Sequence, residues 1–598
     1  MIEQILETAR QSRFDFRRYA NPADPLQDHF EEWVPYYRLK HAIAAVLQPR
    51  SILEIGVRFG YSAVSFLDAA PDAAFVGIDL DIDTFGGQVG ALEWAKRITS
   101  GRNAKFIVAD TQQLARLPGG IYDLVHVDGQ QDGAGTFHDL RRAVAQARWV
   151  LLDGYFWTPE NFFNANDFLL KYDDVFEYAF VIPGYAGELL LRVKDAYVRR
   201  AATAPSTPGA QITEFHDAND GLNDYGGYGD FRRSRSQRVD ASRLLSLLVL
   251  ARMHHRGRPV LDLGCGRGEI AYQLAASGCS VTAVDHSPVA IELAKSCMRD
   301  ASEEVLSRVN FICGDVGQLE SEQKFGTVLA SNLIEHLSPQ ELEKLYAFVA
   351  RAVEPDGVFV IYTAPNLWRY KRDHPRRRRA VQQLGGYLAA EPRTRYELLL
   401  HVNEQSPARL RRFLRRFFRH VLVWVANPDS PAGNLARKYS LSELTAATDI
   451  YGLASAAPID LNRVASLLQC EPLPAGEHAK FSVGVECWPS EAPVGGSICI
   501  RVRLTNTSRS YIASLPPAPV FVSYHWLRAN GGMYVFDGVR SPIPLAISPT
   551  ESGDVATQVK VPAEPGQYRL VLTLVQEGYC WFDQMPGFSP AQTVVNVI

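Results

Sequence analysis

VLDLGCGRGEIAYQLA, Val260 to Ala275, sets Gly264, Gly266 and Gly268 between a short apolar run and a stretch with helical periodicity. Glycines at a strand-to-helix turn permit positive φ and let backbone N–H groups approach a ligand closely. A dinucleotide site would want GxGxxG, but the third spaced position is Glu269, so the spacing disfavours NAD. Downstream, SVTAVD ends in Asp285, where a carboxylate can accept both hydroxyls of a ribose, and FICGDVGQL places Asp315 after a third strand. GTVLASN and GVFVIYTAP supply a fourth and a fifth strand. Strands alternating with helices predict a mostly parallel, doubly wound sheet.

The same logic occurs earlier in the chain. SILEIG, AAFVGIDL, AKFIVAD, YDLVHVD and RWVLLDG read as strands, an amphipathic stretch precedes them from Tyr36 to Leu47, and Asp79 and Asp110 stand where Asp285 and Asp315 stand later. This is a duplication of architecture with little duplication of sequence. From about Phe481 the pattern becomes period-two alternation broken by Pro and Gly, as in SICIRVRLTN and GQYRLVLTLV, which predicts an antiparallel β-sandwich. The expected organisation is a first α/β domain over 1–198, an Ala/Thr/Pro-rich linker over 199–210, a second α/β domain over 211–475 with a basic insert at 369–420, and a sandwich over 476–598.

From the loop through SNLIEHL, EPDGVFVIYTAPN and LHVNEQSPARLRRFL, the second series resembles the class I S-adenosylmethionine-dependent methyltransferases. The resemblance implies S-adenosylmethionine as cofactor. Asp262, Gly264, Gly266 and Gly268 would line its methionine end, Asp285 would hold the ribose, Asp315 would accept from the adenine amino group with Val316 near the ring, and Asn332 would begin the wall facing the acceptor. The alternative for Asp285 is a helix N-cap. Methyl transfer from a sulfonium asks the protein to align a nucleophile and remove its proton, and His336 is the candidate base. The IEHL segment also resembles part of the metal site of small-RNA 2′-O-methyltransferases. Here Asn332 replaces a carboxylate of that site and His374 would have to be its distant ligand, so no metal is expected.

The first series, ILEIGVRFGYSAVSFL, has an ExGxxxG form and resembles the subfamily that includes macrolide-sugar and caffeoyl-type O-methyltransferases and the related cephalosporin hydroxylases. Glu54, Gly56, Gly60, Asp79, Asp110 and Asp128 would form its cofactor pocket. In metal-dependent relatives, carboxylates after strands four and five hold Mg²⁺. Asp128 and Asp153 are retained, but Gln130, Gln131 and Gly154 depart from that pattern, and a full metal site is not expected. His138 reads as a helix-surface residue. Two readings of this domain stay open: it binds the cofactor without catalysing, or it serves a second acceptor position.

Between Arg369 and Arg419, fifteen Lys or Arg face four acids, in the region where this family inserts acceptor-binding elements; such a block is ordinarily a solvated face. In PARLRRFLRRFFRHV, Leu410, Phe413, Leu414, Phe417 and Phe418 recur at helical spacing. A helix packed on the sheet edge and a membrane-surface helix over 407–420 both fit. In the sandwich, about half of Tyr524, His525, Trp526, Tyr534, Phe536, Tyr579, Trp581 and Phe582 should face inward and the rest could offer a platform to sugar rings; GQYRLVLTLVQEGYCWFD resembles carbohydrate-recognition sandwiches of polysaccharide-export and glycan-modifying proteins.

With 598 residues, 46% hydrophobic and 21% charged, and a net charge of −4, the chain is a multidomain globular protein with no general attraction for nucleic acid. Eight cysteines, all from Cys265 onward and without a CxxC pair, argue against structural zinc and disulfides. No apolar run reaches spanning length and Met1 opens no signal-like segment, so a cytoplasmic protein, peripheral to the inner membrane at most, is expected. The resemblances together imply methylation of a hydroxyl on a glycan or its lipid- or nucleotide-linked precursor, with the second domain as main catalyst. The rivals are an RNA 2′-O-methyltransferase and a non-catalytic glycan-binding assembly protein.

Overall fold

The computed structural model describes residues 1–83, 87–114, 116–203, 242–253, 258–299 and 301–598. The chain forms two compact units, Met1–Pro205 with Pro375–Leu398, and Ser206–His374 with Leu399–Ile598. Among the described residues, no helix is long and apolar enough to cross a membrane.

In the first unit, β1 (Ser51–Ile55), β2 (Ala74–Asp79), β3 (Ala104–Val108), β4 (Tyr122–Val127) and β5 (Ala147–Leu152) are joined by the hairpin β6 (Phe176–Ile182) and β7 (Glu188–Val193) in the order β3-β2-β1-β4-β5-β7-β6. β1 to β5 are parallel, and β7 lies antiparallel between β5 and β6. The order reverses at β1, and the carboxyl ends of β1 and β4 flank the crevice where such sheets take ligands. Register sets Glu54 beside Gly77 on one side and His126 on the other.

The second unit repeats this order. β8 (Val260–Leu263), β9 (Val281–Asp285), β10 (Val309–Cys313), β11 (Phe325–Ser331), β12 (Val353–Thr363), β13 (His420–Ala426) and β14 (Asp449–Ser455) run β10-β9-β8-β11-β12-β14-β13. The four residues of β8 are all buried, as expected for a central parallel strand covered on both faces.

The remaining strands form two sheets. One holds β15 (Phe481–Val485), β17 (Ser497–Asn506) and β21 (Ser552–Lys560). The other holds β16 (Glu491–Ala492), β18 (Val520–Arg528), β19 (Met533–Val535), β22 (Gly566–Gln576) and β24 (Ala591–Val597), with β20 (Ser541–Pro542) and β23 (Cys580–Trp581) at its margins. Along β17, Ile500, Val502 and Leu504 are buried while Arg501 and Arg503 are exposed. The Trp526 indole on β18 donates to the Lys560 carbonyl on β21 (2.9 Å) and ties the sheets together. The core of this sandwich is continuous with one face of the second α/β sheet: Leu247, Val464, Leu468 and Cys470 share one buried apolar cluster with Phe481, Trp526 and Leu570.

Three boundaries differ from the sequence reading. The helix Asp195–Thr203 extends into the expected linker, whose remainder from 204, together with 211–241, lies outside the described residues. Residues 375–398, expected within the insert of the second domain, pack with the first unit: Arg141 donates to the Leu398 carbonyl (2.7 Å), Lys171 to the Glu391 carbonyl (2.9 Å), and Phe163 stacks on Tyr387. PARLRRFLRRFFRHV is helical only over Pro407–Leu414, because from His420 the backbone pairs with β14. Its apolar side is in the core, with Leu410, Leu414 and Phe418 buried. In the sandwich, Tyr524, His525, Trp526 and Phe582 are buried and Phe536 and Tyr579 exposed.

Candidate active sites

In the second unit, Gly264, Gly266 and Gly268 all take positive φ (70°, 50° and 76°), and the helix Glu269–Ala276 starts directly after them. Asp285 Oδ2 accepts from the Gly266 amide (2.8 Å) and Oδ1 from the Ser287 amide (2.9 Å). Its carboxylate thus clamps the turn from the end of β9. The helix Pro288–Cys297 is N-capped by Ser287, whose hydroxyl accepts from Ala290, so the N-cap reading of Asp285 does not hold. Asp315 accepts from the Gly317 amide (2.8 Å) and from Gln318 Nε2 (3.0 Å), with Val316 buried beside it. Asp262 is 1% exposed, and neither carboxyl oxygen meets a hydrogen-bond partner among the described residues. Burial, reinforced by the Asp285 charge, pushes its pKa up to about 7.

Asn332, at φ 49°, donates its amide to Glu335 Oε1 (3.3 Å) and accepts from Arg243 (3.2 Å). Glu335 is buried, accepts from the Thr363 hydroxyl (2.8 Å), and is raised by burial to about 7. His336 places Nδ1 3.1 Å from the Leu400 carbonyl, and its ring centroid lies 4.9 Å from that of His401. Glu335, His336 and His401 each offer one ligand atom within 4.8 Å of the others and could hold a cation, although no metal was expected from the sequence; His374, the distant ligand such a site would have required, is not in this cluster.

The first unit opens a cavity of about 650 Å³ along the carboxyl edge of its sheet. Gly56, Asp79, Asp110, Asp128 and Asp153 line it, together with Trp33, Tyr36, Tyr37, Trp157 and Tyr185. Asp79 Oδ2 accepts from the amides of Val57 (2.7 Å) and Arg58 (2.8 Å), which repeats the clamp of Asp285. Asp110 accepts from the Gln112 amide (2.9 Å). A Cβ on Gly56, at φ +84°, would lie 2.0 Å from the Asp128 carbonyl oxygen, so only glycine lets β1 turn here. Gly60 instead caps the helix Tyr61–Ala69 against Ala95, away from the cavity wall.

Behind the wall runs a buried polar chain. Glu54, wholly buried, meets His126 Nδ1 at 2.7 Å, and His126 Nε2 meets Lys40 Nζ at 2.9 Å. Lys40 donates to Asp153 Oδ1 (2.8 Å) and Glu188 Oε1 (2.7 Å), and Tyr36 donates to the same Asp153 oxygen (2.6 Å). Gln131 donates to Asp153 Oδ2 (3.1 Å) and lies 3.4 Å from Asp128 Oδ1. Burial alone would lower the Lys40 pKa, but Asp153 and Glu188 outweigh it and hold the ammonium charged. Burial would raise Asp153, and Lys40 overrides it in the opposite direction. Asp128, on the wall, is raised well above the ordinary range by burial and then by the Asp153 charge. Glu54, expected from its motif to touch the cofactor, is turned to His126 and is not part of the wall. Lys40, His126 and Glu188 carried no weight in the sequence reading. Their signal was a charged or polar residue interrupting an apolar run, in RLKHAIAAV, LVHV and GELLL.

Among known proteins, two family models, each described as a methyltransferase domain, match residues 53–149 and 260–357. Over 108 residues the chain is 36% identical to the mitochondrial ubiquinone biosynthesis O-methyltransferase of Schizosaccharomyces pombe, covering 18% of this chain and 38% of that protein. It is 32% identical over 120 residues to 2-heptyl-1-hydroxyquinolin-4(1H)-one methyltransferase of Mycobacteroides abscessus, covering 20% and 50%. The chain therefore spans half or less of the length of these relatives. Among solved structures, the glycopeptide N-methyltransferase MtfA is 18% identical with a TM-score of 0.25, covering 38% of this chain and 98% of that one. The CcbJ methyltransferase from Streptomyces caelestis is 19% identical with a TM-score of 0.29, covering 42% and 98%. The two matched stretches coincide with β1 to β5 and β8 to β12, so each of the two α/β sheets contains one match to a methyltransferase-domain model.

Proposed function

We propose that the protein transfers the methyl group of S-adenosylmethionine to a hydroxyl of a sugar-containing acceptor, with the second domain as main catalyst. The observation that carries the cofactor half of this reading is the repeated clamp, in which the acid ending the second strand (Asp79, Asp285) accepts from amides of the glycine turn. Each clamped carboxylate retains lone pairs for ribose hydroxyls. In the second domain, Asp262, buried with neither oxygen partnered among the described residues, is the carboxyl that would ionise against the α-ammonium of the methionine moiety. His336 stands at the end of β11 as proton acceptor for the hydroxyl, with Nδ1 bound to the Leu400 carbonyl so that Nε2 carries the lone pair.

The sugar half rests on the sandwich. Phe536, 40% exposed, stacks on His525, and Trp581 lies 5.2 Å from Phe536 under the guanidinium of Arg540. Arg540 is paired with Asp537 and Glu577. Aromatic faces rimmed by charged hydrogen-bonding groups suit the C–H faces and hydroxyls of a glycan.

Calorimetric titration of S-adenosylhomocysteine into the full chain tests the cofactor reading, with Asp79→Asn and Asp285→Asn as variants that keep an acceptor for the turn amides. Two sites are expected, each weakened about 10- to 100-fold by one substitution, the worth of a hydrogen bond to a charged group. No binding at all would sink the reading. Methyl incorporation from labelled S-adenosylmethionine into lipid-linked, nucleotide-linked and free oligosaccharides tests the acceptor. A second reading, RNA 2′-O-methylation, draws on Glu335, His336 and His401, where a cation would polarise the acceptor hydroxyl; steeply salt-dependent RNA binding would favour it.

A further inference from the structure

His126, Asp153 and Glu188 of the first domain bring three ligand atoms within 4.8 Å of one another, a donor set of nitrogen and carboxylate oxygen suited to a divalent cation. The middle of that set is filled by the chain itself. Lys40 Nζ, with its side chain wholly buried, lies 2.9 Å from His126 Nε2, 2.8 Å from Asp153 Oδ1 and 2.7 Å from Glu188 Oε1. An ammonium has three hydrogens and no acceptor, and here each hydrogen has one acceptor. The partners are oriented to match. Glu54 holds His126 Nδ1 at 2.7 Å, which fixes the proton there and turns the Nε2 lone pair to Lys40.

We propose that the first domain is a cation-independent site: the Lys40 ammonium occupies the place that His126, Asp153 and Glu188 would otherwise give to a metal ion, and the overlapping set of Glu54, His126 and Asp128 is closed as well, because both His126 nitrogens are engaged by Glu54 and Lys40. The proposal concerns the pocket of the first domain and rests on the reading of this domain as a methyl-transfer domain only for its role, not for the cage itself. A divalent ion could enter only by expelling Lys40 into a cavity-side setting lined by Tyr36, whose ring lies 4.3 Å from Nζ. The ammonium carries half the charge of such an ion and offers no open coordination position. An acceptor entering this cavity must therefore be held by side chains, through the carboxylates of Asp128 and Asp153 and the rings of Trp33 and Trp157, and not by chelation. The site selects compounds that pair a hydroxyl with a flat or apolar face.

Mn²⁺ binding followed by electron paramagnetic resonance tests the cage without any acceptor. All measurements use full-length protein carrying His401→Ala, so that ions at Glu335 and His336 are not counted. With Lys40 present, millimolar Mn²⁺ should leave the free-ion spectrum unchanged. Adding Lys40→Ala should create one bound Mn²⁺ per chain, and adding Asp153→Asn to that variant should remove it again. Bound Mn²⁺ in the protein that retains Lys40, lost on Asp153→Asn, would overturn the proposal, as would a folded Lys40→Ala variant that takes up none. If Lys40→Ala does not fold by circular dichroism, the arm that retains Lys40 decides alone. Failure of the methyl-transfer reading shows separately, as absence of S-adenosylhomocysteine binding in the calorimetric titration.

Discussion

Asp262 and Glu54 stand at the same point of the two domains, two residues before the first glycine of each turn, and they have opposite fates. Glu54 has one oxygen held by His126 and one without a partner, whereas both oxygens of Asp262 lack partners among the described residues. A buried carboxyl in that state stays protonated, and burial with the nearby Asp285 charge puts its pKa at about 7. Its folded-state pKa lies above its unfolded one, so its contribution to stability is greatest at low pH and is lost as pH rises from about 4 through 7. An α-ammonium set against it reverses that. At about pH 6, binding of S-adenosylhomocysteine should release about one proton at the second site, read from calorimetry in buffers of different ionisation enthalpy. Asp262→Asn should abolish the release, and an unchanged proton count in that variant would refute the assignment. At this scale the sequence was legible where a motif fixes the neighbours: it placed Asp285 and Asp79 at the ends of the second strands beside the glycine turns, but not their hydrogen bonds to the turn amides. It was illegible at Lys40, His126 and Glu188, because their meeting depends on a helix and two strands separated by up to 148 residues.

The helix Pro407–Leu414 shows what periodicity can and cannot reveal. Leu410 and Leu414 obey the helical stripe and are buried against β13 and β14. Phe417 and Phe418 obey the same stripe but lie beyond the helix end. The competing force is pairing of His420–Ala426 with Asp449–Ser455, a partner strand with no signature near residue 418. The strands β1 to β5 and β8 to β12, each an apolar run ended by a turn, needed no such distant information. If the apolar face belongs to the core, Leu410→Ala should cost about 2–5 kcal/mol in urea unfolding, the usual loss for a fully buried leucine. An effect below about 0.5 kcal/mol, the range of surface substitutions, would restore the membrane-surface helix as a contender.

Viewed whole, the chain is one sheet order used twice and then a β-sandwich. The duplication was visible as repeated spacing of glycine turn and acids, while the hairpins β6–β7 and β13–β14 that complete each sheet were not, since they close the edge and carry no motif. The sugar reading belongs to this scale, because it assigns holding and chemistry to different parts of the molecule. Phe536→Ala should raise the KM for an oligosaccharide acceptor by about tenfold, the worth of one aromatic contact, and leave S-adenosylhomocysteine affinity unchanged. Equal loss of both, or of neither, would remove the sandwich from acceptor binding.

The apolar cluster that runs from Leu247 and Leu468 into Phe481 and Trp526 joins the second α/β sheet and the sandwich in one buried core. With that core shared, their spacing would be a fixed length instead of the reach of a swinging tether. A polymer gripped at the Phe536 rim would offer to the Gly264–Gly268 turn only the unit that lies one such length away. Which residue along a repeating chain is modified would be counted by the protein as by a ruler, even if every unit of that chain were chemically alike.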